Sequence, residues 1–148
     1  MTKMHHVAVF VSDMDRSLHL FRDILGLELA WHLPVVKGSR MSALLGIRGL
    51  EMEIAYLKDF DRGVSVELCR MRHPEMKQAP HNIGGSGRVS LSFQVTHLES
   101  LHRRLTDEGW QPFSPCMDMR DPEGRSVKLF CFPIEEGVVV ELIESKWS

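Results

Sequence analysis

Residues 11–19 read VSDMDRSLH and residues 95–103 read VTHLESLHR. The two stretches lie 84 positions apart, counted from Val11 to Val95, and each joins an alternating apolar segment to an amphipathic one. Each copy leaves a strand, crosses a polar junction that carries an acid (Asp15, Glu99) and enters a helix. Each also ends, further on, in a strand containing Glu-Leu: Glu67-Leu68 in one copy, Glu141-Leu142 in the other. A repeated unit that cannot bury its apolar face alone is expected to pair with its copy. Any functional site is then expected where the copies meet.

Outward from the repeat, residues 5–11 alternate as a strand, with Val7, Val9 and Val11 on one face and His6, Ala8 and Phe10 on the other. Ser12 or Asp13 can cap the following helix, whose stripe is Leu18, Phe21, Ile24 and Leu25, with Gly26 ending it. Residues 27–31 resume as a strand, 38–49 form a longer excursion, 50–57 alternate again, 59–63 are a polar turn and 64–71 are a strand. The segment 73–87, HPEMKQAPHNIGGSG, is rich in Pro and Gly and reads as a linker. The second copy opens with a strand over 88–95 and a helix through Leu98, Leu101 and Leu105, stopped by Gly109. Its later strands are separated by the turn Asp121-Pro122-Glu123-Gly124 and by 133–137. The order is βαβββ twice, an α+β pattern without the strict alternation of a parallel Rossmann sheet, and there is no GxGxxG or P-loop. One domain is expected over 1–148, with modules 1–72 and 88–148 joined by the linker 73–87.

With 148 residues, 43% of them hydrophobic, the chain is long enough to bury a substantial core. A net charge of −2 gives no polybasic footprint, so neither nucleic acid nor an anionic membrane is an expected partner. No apolar run approaches the roughly 20 residues that span a bilayer. The first strand is expected to begin within MTKMHHVAVF, so no signal peptide is expected. Cys69, Cys116 and Cys131 are an odd, widely spaced set with no CxxC, read as reduced thiols of a cytoplasmic protein.

Strand parity narrows the candidates, because side chains alternate between faces. Val66 and Leu68 oppose Ser65, Glu67 and Cys69; Val89, Leu91, Phe93 and Val95 oppose Ser90, Ser92 and Gln94; Val138, Val140 and Leu142 oppose Val139, Glu141 and Ile143. With the apolar faces turned to the helices, His6, Glu67, Ser90 and Glu141 share the other, more polar face.

HHVAVFVSDMDRSLHLFRDILGL (5–27), the strands VELCRM (66–71) and VELIE (140–144) and the turn DPEG (121–124) together resemble the vicinal oxygen chelate superfamily. That superfamily includes glyoxalases, methylmalonyl-CoA epimerases, extradiol dioxygenases and fosfomycin or bleomycin resistance proteins. The resemblance covers nearly the whole chain. It implies two tandem βαβββ modules pairing into an open cup-shaped mixed sheet with helices outside, assembled further as a homodimer. It also implies a divalent metal (Zn, Ni, Mn, Mg or Fe) held by the first and last strands of each module. Those positions here are His6, Glu67, Ser90 and Glu141.

Ser90 departs from the family pattern, which has a histidine in a sequence like HIAF where this chain reads SLSF (90–93). A serine hydroxyl is a poor ligand, so the metal site rests on His6, Glu67 and Glu141, with water at the Ser90 position. Three protein ligands and an open position suit a catalytic zinc, and the oxygen-rich set also suits Mg or Mn. Non-heme iron oxygenases use two histidines and one carboxylate, which counts against a dioxygenase.

Other residues are weaker candidates. Glu51 and Glu53 lie on a strand that in the family lines the cup, where a spare carboxylate serves as general base; they share parity with Ala55 and Leu57, and the sequence leaves the inward face open. Cys69, two residues from Glu67, reads as a pocket thiol or an inert buried one. His73 and His81 fall in the linker, as solvated loop residues or as part of a lid. Met41, Met52 and Met117 read as an adaptable pocket lining or as core filling.

The leading expectation is a metal-dependent lyase or isomerase of glyoxalase or epimerase type acting on a small oxygenated metabolite, with Glu141 and Glu67 as catalytic carboxylates. The alternatives are a non-catalytic binder of drug-like molecules, of bleomycin-resistance type, and an extradiol-type dioxygenase.

Overall fold

The computed structural model describes residues 2, 4–59, 64–76 and 87–145. The chain divides into two compact units, Met1–Gln78 and Ala79–Ser148. The first contains β1 (His6–Phe10), α1 (Met14–Leu18), β2 (Glu28–Lys37), α2 (Ser39–Leu45), β3 (Glu51–Lys58) and β4 (Ser65–His73). Its sheet has the order β1-β4-β3-β2, with β1 parallel to β4 and the other pairs antiparallel. The second contains β5 (Val89–Gln94), α3 (Leu98–Asp107), β6 (Met117–Arg120), β7 (Ser126–Glu135) and β8 (Val138–Ser145). Its order, β5-β8-β7-β6 with β5 parallel to β8, repeats the first. Each unit is thus a βαβββ module, and the fold is α+β.

Strand register makes the duplication concrete. His6 pairs with Ser65 and Ala8 with Glu67; Ser90 pairs with Val139 and Ser92 with Glu141. The first strands are 84 positions apart (6 to 90) and the last strands 74 (67 to 141). The difference lies in the first unit's longer β2 and in α2, which has no counterpart among the described residues of the second.

Each helix starts and packs for local reasons. The Asp13 carboxylate accepts a hydrogen bond from the Arg16 amide at 2.9 Å, so Asp13 rather than Ser12 is the cap. α1 continues as a π-helical segment, His19–Ile24, in which the Leu25 amide reaches back to the Leu20 carbonyl at 2.9 Å. The wider turn changes the expected stripe: Leu20 is fully buried with Phe21 and Ile24, while Leu25 is only half-buried. Val9, Leu57, Val66 and Leu68 are buried with them. In the second unit Leu98 and Leu105 of α3 are buried together with Phe130, Phe132, Val140 and Leu142.

Three stretches of the first unit depart from the sequence expectation. The strand expected over 27–31 runs on to Lys37, through Pro34. β2 is an edge strand, and its register shifts between Leu33 and Val36, so the amide that proline lacks is not needed there. The excursion 38–49 contains the helix α2. β4 extends to His73, which pairs with Glu51, so His73 is a strand residue and not a linker residue. Of the expected turn 59–63 and linker 73–87, positions 60–63 and 77–86, including His81, lie outside the described residues. No helix among the described residues is long and apolar enough to cross a membrane.

Candidate functional site

Register and parity bring His6 of β1, Glu67 and Cys69 of β4, Tyr56 of β3 and Trp31 of β2 to one face of the first sheet. His6 Nε2 lies 3.9 Å from Glu67 Oε2, with side chains about one-third and one-fifth exposed (34% and 20%). The other ring nitrogen, His6 Nδ1, is hydrogen-bonded to His5 Nδ1 at 2.7 Å, and the Tyr56 hydroxyl stands 3.5 Å from that same His5 atom. The Tyr56 ring meets His6 edge-on at 5.8 Å and stacks on Trp31 at 5.0 Å and 10°. The Cys69 thiol contacts Glu67 Oε1 at 3.5 Å. Burial, then the neighbouring Glu67 charge, pushes that thiol up to about 12, which keeps it protonated and a poor nucleophile.

The matching face of the second sheet carries Ser90, Ser92 and Glu141. Ser92 Oγ donates to Glu141 Oε1 at 2.6 Å, and the Cys131 thiol lies 3.8 Å from Oε2. Burial and then Glu141 raise the Cys131 thiol as well. Ser90 is exposed and occupies the register position that His6 holds in the first unit. The first unit therefore sets an imidazole against its carboxylate, and the second sets a hydroxyl, one register step further along.

The chemistry of the first pair suits a shared cation. Zinc bonds are about 2.0–2.1 Å to His nitrogen and about 2.0–2.2 Å to carboxylate oxygen, so two such donors on one ion stand at most about 4.3 Å apart. His6 Nε2 and Glu67 Oε2 fall inside that limit. Within either unit, among the described residues, no third His, Cys, Asp or Glu completes such a group.

Glu53 is corrected as a spare base. It lies on the opposite face of the sheet from Glu67, since Tyr56 rather than Ala55 pairs with Glu67. It is 6% exposed and already held by His32 Nε2 at 2.8 Å, Arg72 Nη2 at 3.1 Å and Arg70 Nη1 at 3.7 Å. Glu51 stands at the far end of β3, beside His73 in register and 3.8 Å from Lys37 Nζ. Met52 is buried in a cluster with Leu50, Ile54 and Cys69, against which Met41 packs, so these two are core filling. Met117, on β6, is half exposed.

His5, Tyr56 and Ser92 join these faces without being marked as site residues by the sequence pattern. Ser92 was available to parity, since it shares a face with Ser90. His5 was not: alternation assigns it to the Val7 face, but it precedes β1, where strand geometry no longer dictates direction.

Comparison with known proteins agrees with this architecture. The family model described as Glyoxalase/Bleomycin resistance protein/Dioxygenase superfamily matches residues 3–130. A glyoxalase family protein from Bacillus cereus is 22% identical with a TM-score of 0.84, over 98% of this chain and 95% of that one. A glyoxalase family protein from Enterococcus faecalis is 20% identical with a TM-score of 0.59, over 96% and 97%. The trypanothione-dependent glyoxalase I of Leishmania major is 13% identical with a TM-score of 0.59, over 99% and 88%. No curated protein matches the sequence. With two βαβββ units in the same strand order and a family model covering the first unit and most of the second, the chain belongs to the glyoxalase/bleomycin resistance protein/dioxygenase superfamily, the vicinal oxygen chelate proteins.

Proposed function

We propose that the chain is a metal-dependent lyase or isomerase of glyoxalase or epimerase type, acting on a small oxygenated metabolite. In this reading His6, Glu67 and Glu141 are the metal ligands, and water stands where Ser90 lacks an imidazole. The observation that carries it is the His6–Glu67 pair. His5 Nδ1, 2.7 Å from His6 Nδ1, is placed to accept a proton there, which leaves the lone pair of His6 on Nε2. Either ring can donate in this bond, and the metal reading takes the direction that frees Nε2. Nε2 and Glu67 Oε2 then face each other as two acceptors across 3.9 Å, an arrangement that a cation relieves.

A divalent ion held by His6, Glu67 and Glu141 would supply Lewis acidity to the substrate. The chain's own groups do the rest. Glu141 and Glu67 move the proton beside the substrate carbonyl, with Ser92 fixing the plane of the Glu141 carboxylate through Oε1. The exposed Trp31 ring, backed by the buried Tyr56, gives the apolar part of the substrate a flat wall near the His6–Glu67 pair. Three unpaired thiols suit a reducing, cytoplasmic setting. The exposed Trp31, Leu33 and Val35 along the β2 edge suit a homodimer, which sedimentation analysis checks directly.

One observation favours a second reading. Ser90 removes an imidazole, and Ser92 already occupies Glu141, so the same face is also suited to a binder of drug-like molecules without turnover. Metal analysis of protein purified without chelator separates the two. The enzyme reading expects a near-stoichiometric divalent metal, most of which Glu141→Gln removes. If the metal is absent, and added Mn, Ni, Zn or Mg leaves the thermal stability of both chains unchanged, the binder reading replaces it. Iron-dependent oxygen uptake with catechols would instead restore the extradiol dioxygenase.

A further inference from the structure

Three strand ends of the first unit meet in one row. Lys37 closes β2, Glu51 opens β3 and His73 closes β4, and register pairs Lys37 with Glu51 and Glu51 with His73. Ser39 and Ser42 of α2, and Arg48 beyond it, line a cavity of about 680 Å³ together with this row. That size falls within the range of small-molecule sites, roughly 300–1,000 Å³. Leu50, 2% exposed and part of the buried Met52–Ile54–Cys69 cluster, lines it as well.

The charge of the lining has a definite sign. Lys37 and Arg48 contribute two positive charges and Glu51 one negative, a net of +1 from these three. Glu51 is turned to Lys37 at 3.8 Å, whereas Arg48 has no ion pair with any described residue. The lining therefore includes three kinds of donor: a guanidinium suited to two-point binding of an oxyanion, an ammonium and a hydroxyl. Arginine is the side chain best matched to planar or tetrahedral oxyanions. An apolar wall beside them favours a ligand with a hydrocarbon or aromatic body. The cavity is separate from the His6–Glu67 pair: Glu67 and His73 are six residues apart on one strand, about 20 Å at roughly 3.3 Å per residue.

We propose that this cavity is a binding site for a small organic acid, one oxyanion on an apolar body, with Arg48 and Lys37 holding the oxyanion and Leu50 facing the body. Nothing in it depends on a metal or on the reaction proposed above.

Phenyl phosphate is the probe, and inorganic phosphate and phenol are the controls, each titrated into the full-length chain and followed by backbone amide shifts. The expected result is saturable binding of phenyl phosphate, with shifts centred on residues 37–51 and on His73, and weaker binding of both controls. Arg48→Ala should weaken binding about tenfold, as for loss of one charged hydrogen-bonding partner, and leave the melting temperature unchanged. Glu51→Gln should tighten it, since the substitution removes a repelling charge and releases Lys37. Shifts centred elsewhere, equal binding by Arg48→Ala, or weaker binding by Glu51→Gln would each overturn the proposal. A carboxylate source is distinguished from a phosphate source by repeating the titration with benzoate. Because the readout is binding at residues 37–51, its failure leaves the metal reading untouched, and metal loss leaves this binding unchanged.

Discussion

Ser92 Oγ donates a 2.6 Å hydrogen bond to Glu141 Oε1, and the residue in the same register position of the first unit is Ala8, opposite Glu67. The two equivalent glutamates thus sit in unequal surroundings. Glu141 is oriented by a hydroxyl, and Glu67 faces an imidazole at 3.9 Å. Groups that orient a metal-binding carboxylate typically change affinity 10–100-fold when removed. Ser92→Ala is therefore expected to weaken divalent-metal binding about tenfold in calorimetric titration. Because the bond is exposed, the melting temperature should barely move. Unchanged affinity would detach Glu141 from the metal.

Ser90→His tests the vacancy in the second unit. The position corresponds in register to His6, and its side chain is exposed, so an imidazole can be added there without repacking a core. A fourth protein ligand in place of water should raise the affinity for Zn or Ni at least about tenfold, each tenfold being roughly 1.4 kcal/mol. Competition with a coloured chelator measures it. A chain whose affinity stays flat would show that Ser90 does not lie at the metal.

Most of the fold was legible because the repeat fixed the order of elements and alternation fixed the faces. The Glu67 and Glu141 positions followed from that alone, and register later matched them. What stayed hidden had local causes. Pro34 reads as a strand breaker, yet β2 is an edge with a register shift that absorbs it. The π-helical turn moved burial from Leu25 to Leu20, a displacement that a 3.6-residue period does not anticipate. Glu53 looked like a spare base because a sequence names a residue's face but not the charges its neighbours bring, here His32, Arg70 and Arg72 from two other strands. His5 lies outside the strand whose alternation would have placed it.

Glu53 should matter to stability rather than to chemistry. Its carboxylate is nearly buried and compensated by three basic side chains, so removing its charge leaves those groups unpaired. Breaking a fully buried ion pair costs about 3–5 kcal/mol. Arg70, Arg72 and His32 are between one-third and one-half exposed and regain water when released, which lowers the expected cost of Glu53→Gln to about 1–2 kcal/mol. Urea unfolding measures this, and metal affinity should not change. A loss of metal with no loss of stability would return Glu53 to the site.

Cys116 gives a pH-dependent prediction away from the candidate metal ligands. Burial first, and then a hydrogen bond and charge from Glu99, push its thiol from the ordinary 9.0 up to about 11. Alkylation needs the thiolate, so at pH 8 iodoacetamide should modify Cys116 about a hundredfold more slowly than an unperturbed thiol. Between pH 8 and 10 its rate should still climb about tenfold per pH unit. Glu99→Gln removes the lesser cause and should speed labelling by less than that hundredfold, since burial remains. The sign for stability follows from the same shift. The folded chain holds this proton above the pH at which the unfolded chain releases it, so the contribution is complete below about pH 9 and is lost as pH rises toward 11. The urea midpoint of the wild type minus that of Cys116→Ala, measured from pH 7 to 10.5, should therefore be constant up to about pH 9 and fall above it. Parallel curves across that range would mean that the folded environment of Cys116 does not favour the protonated thiol.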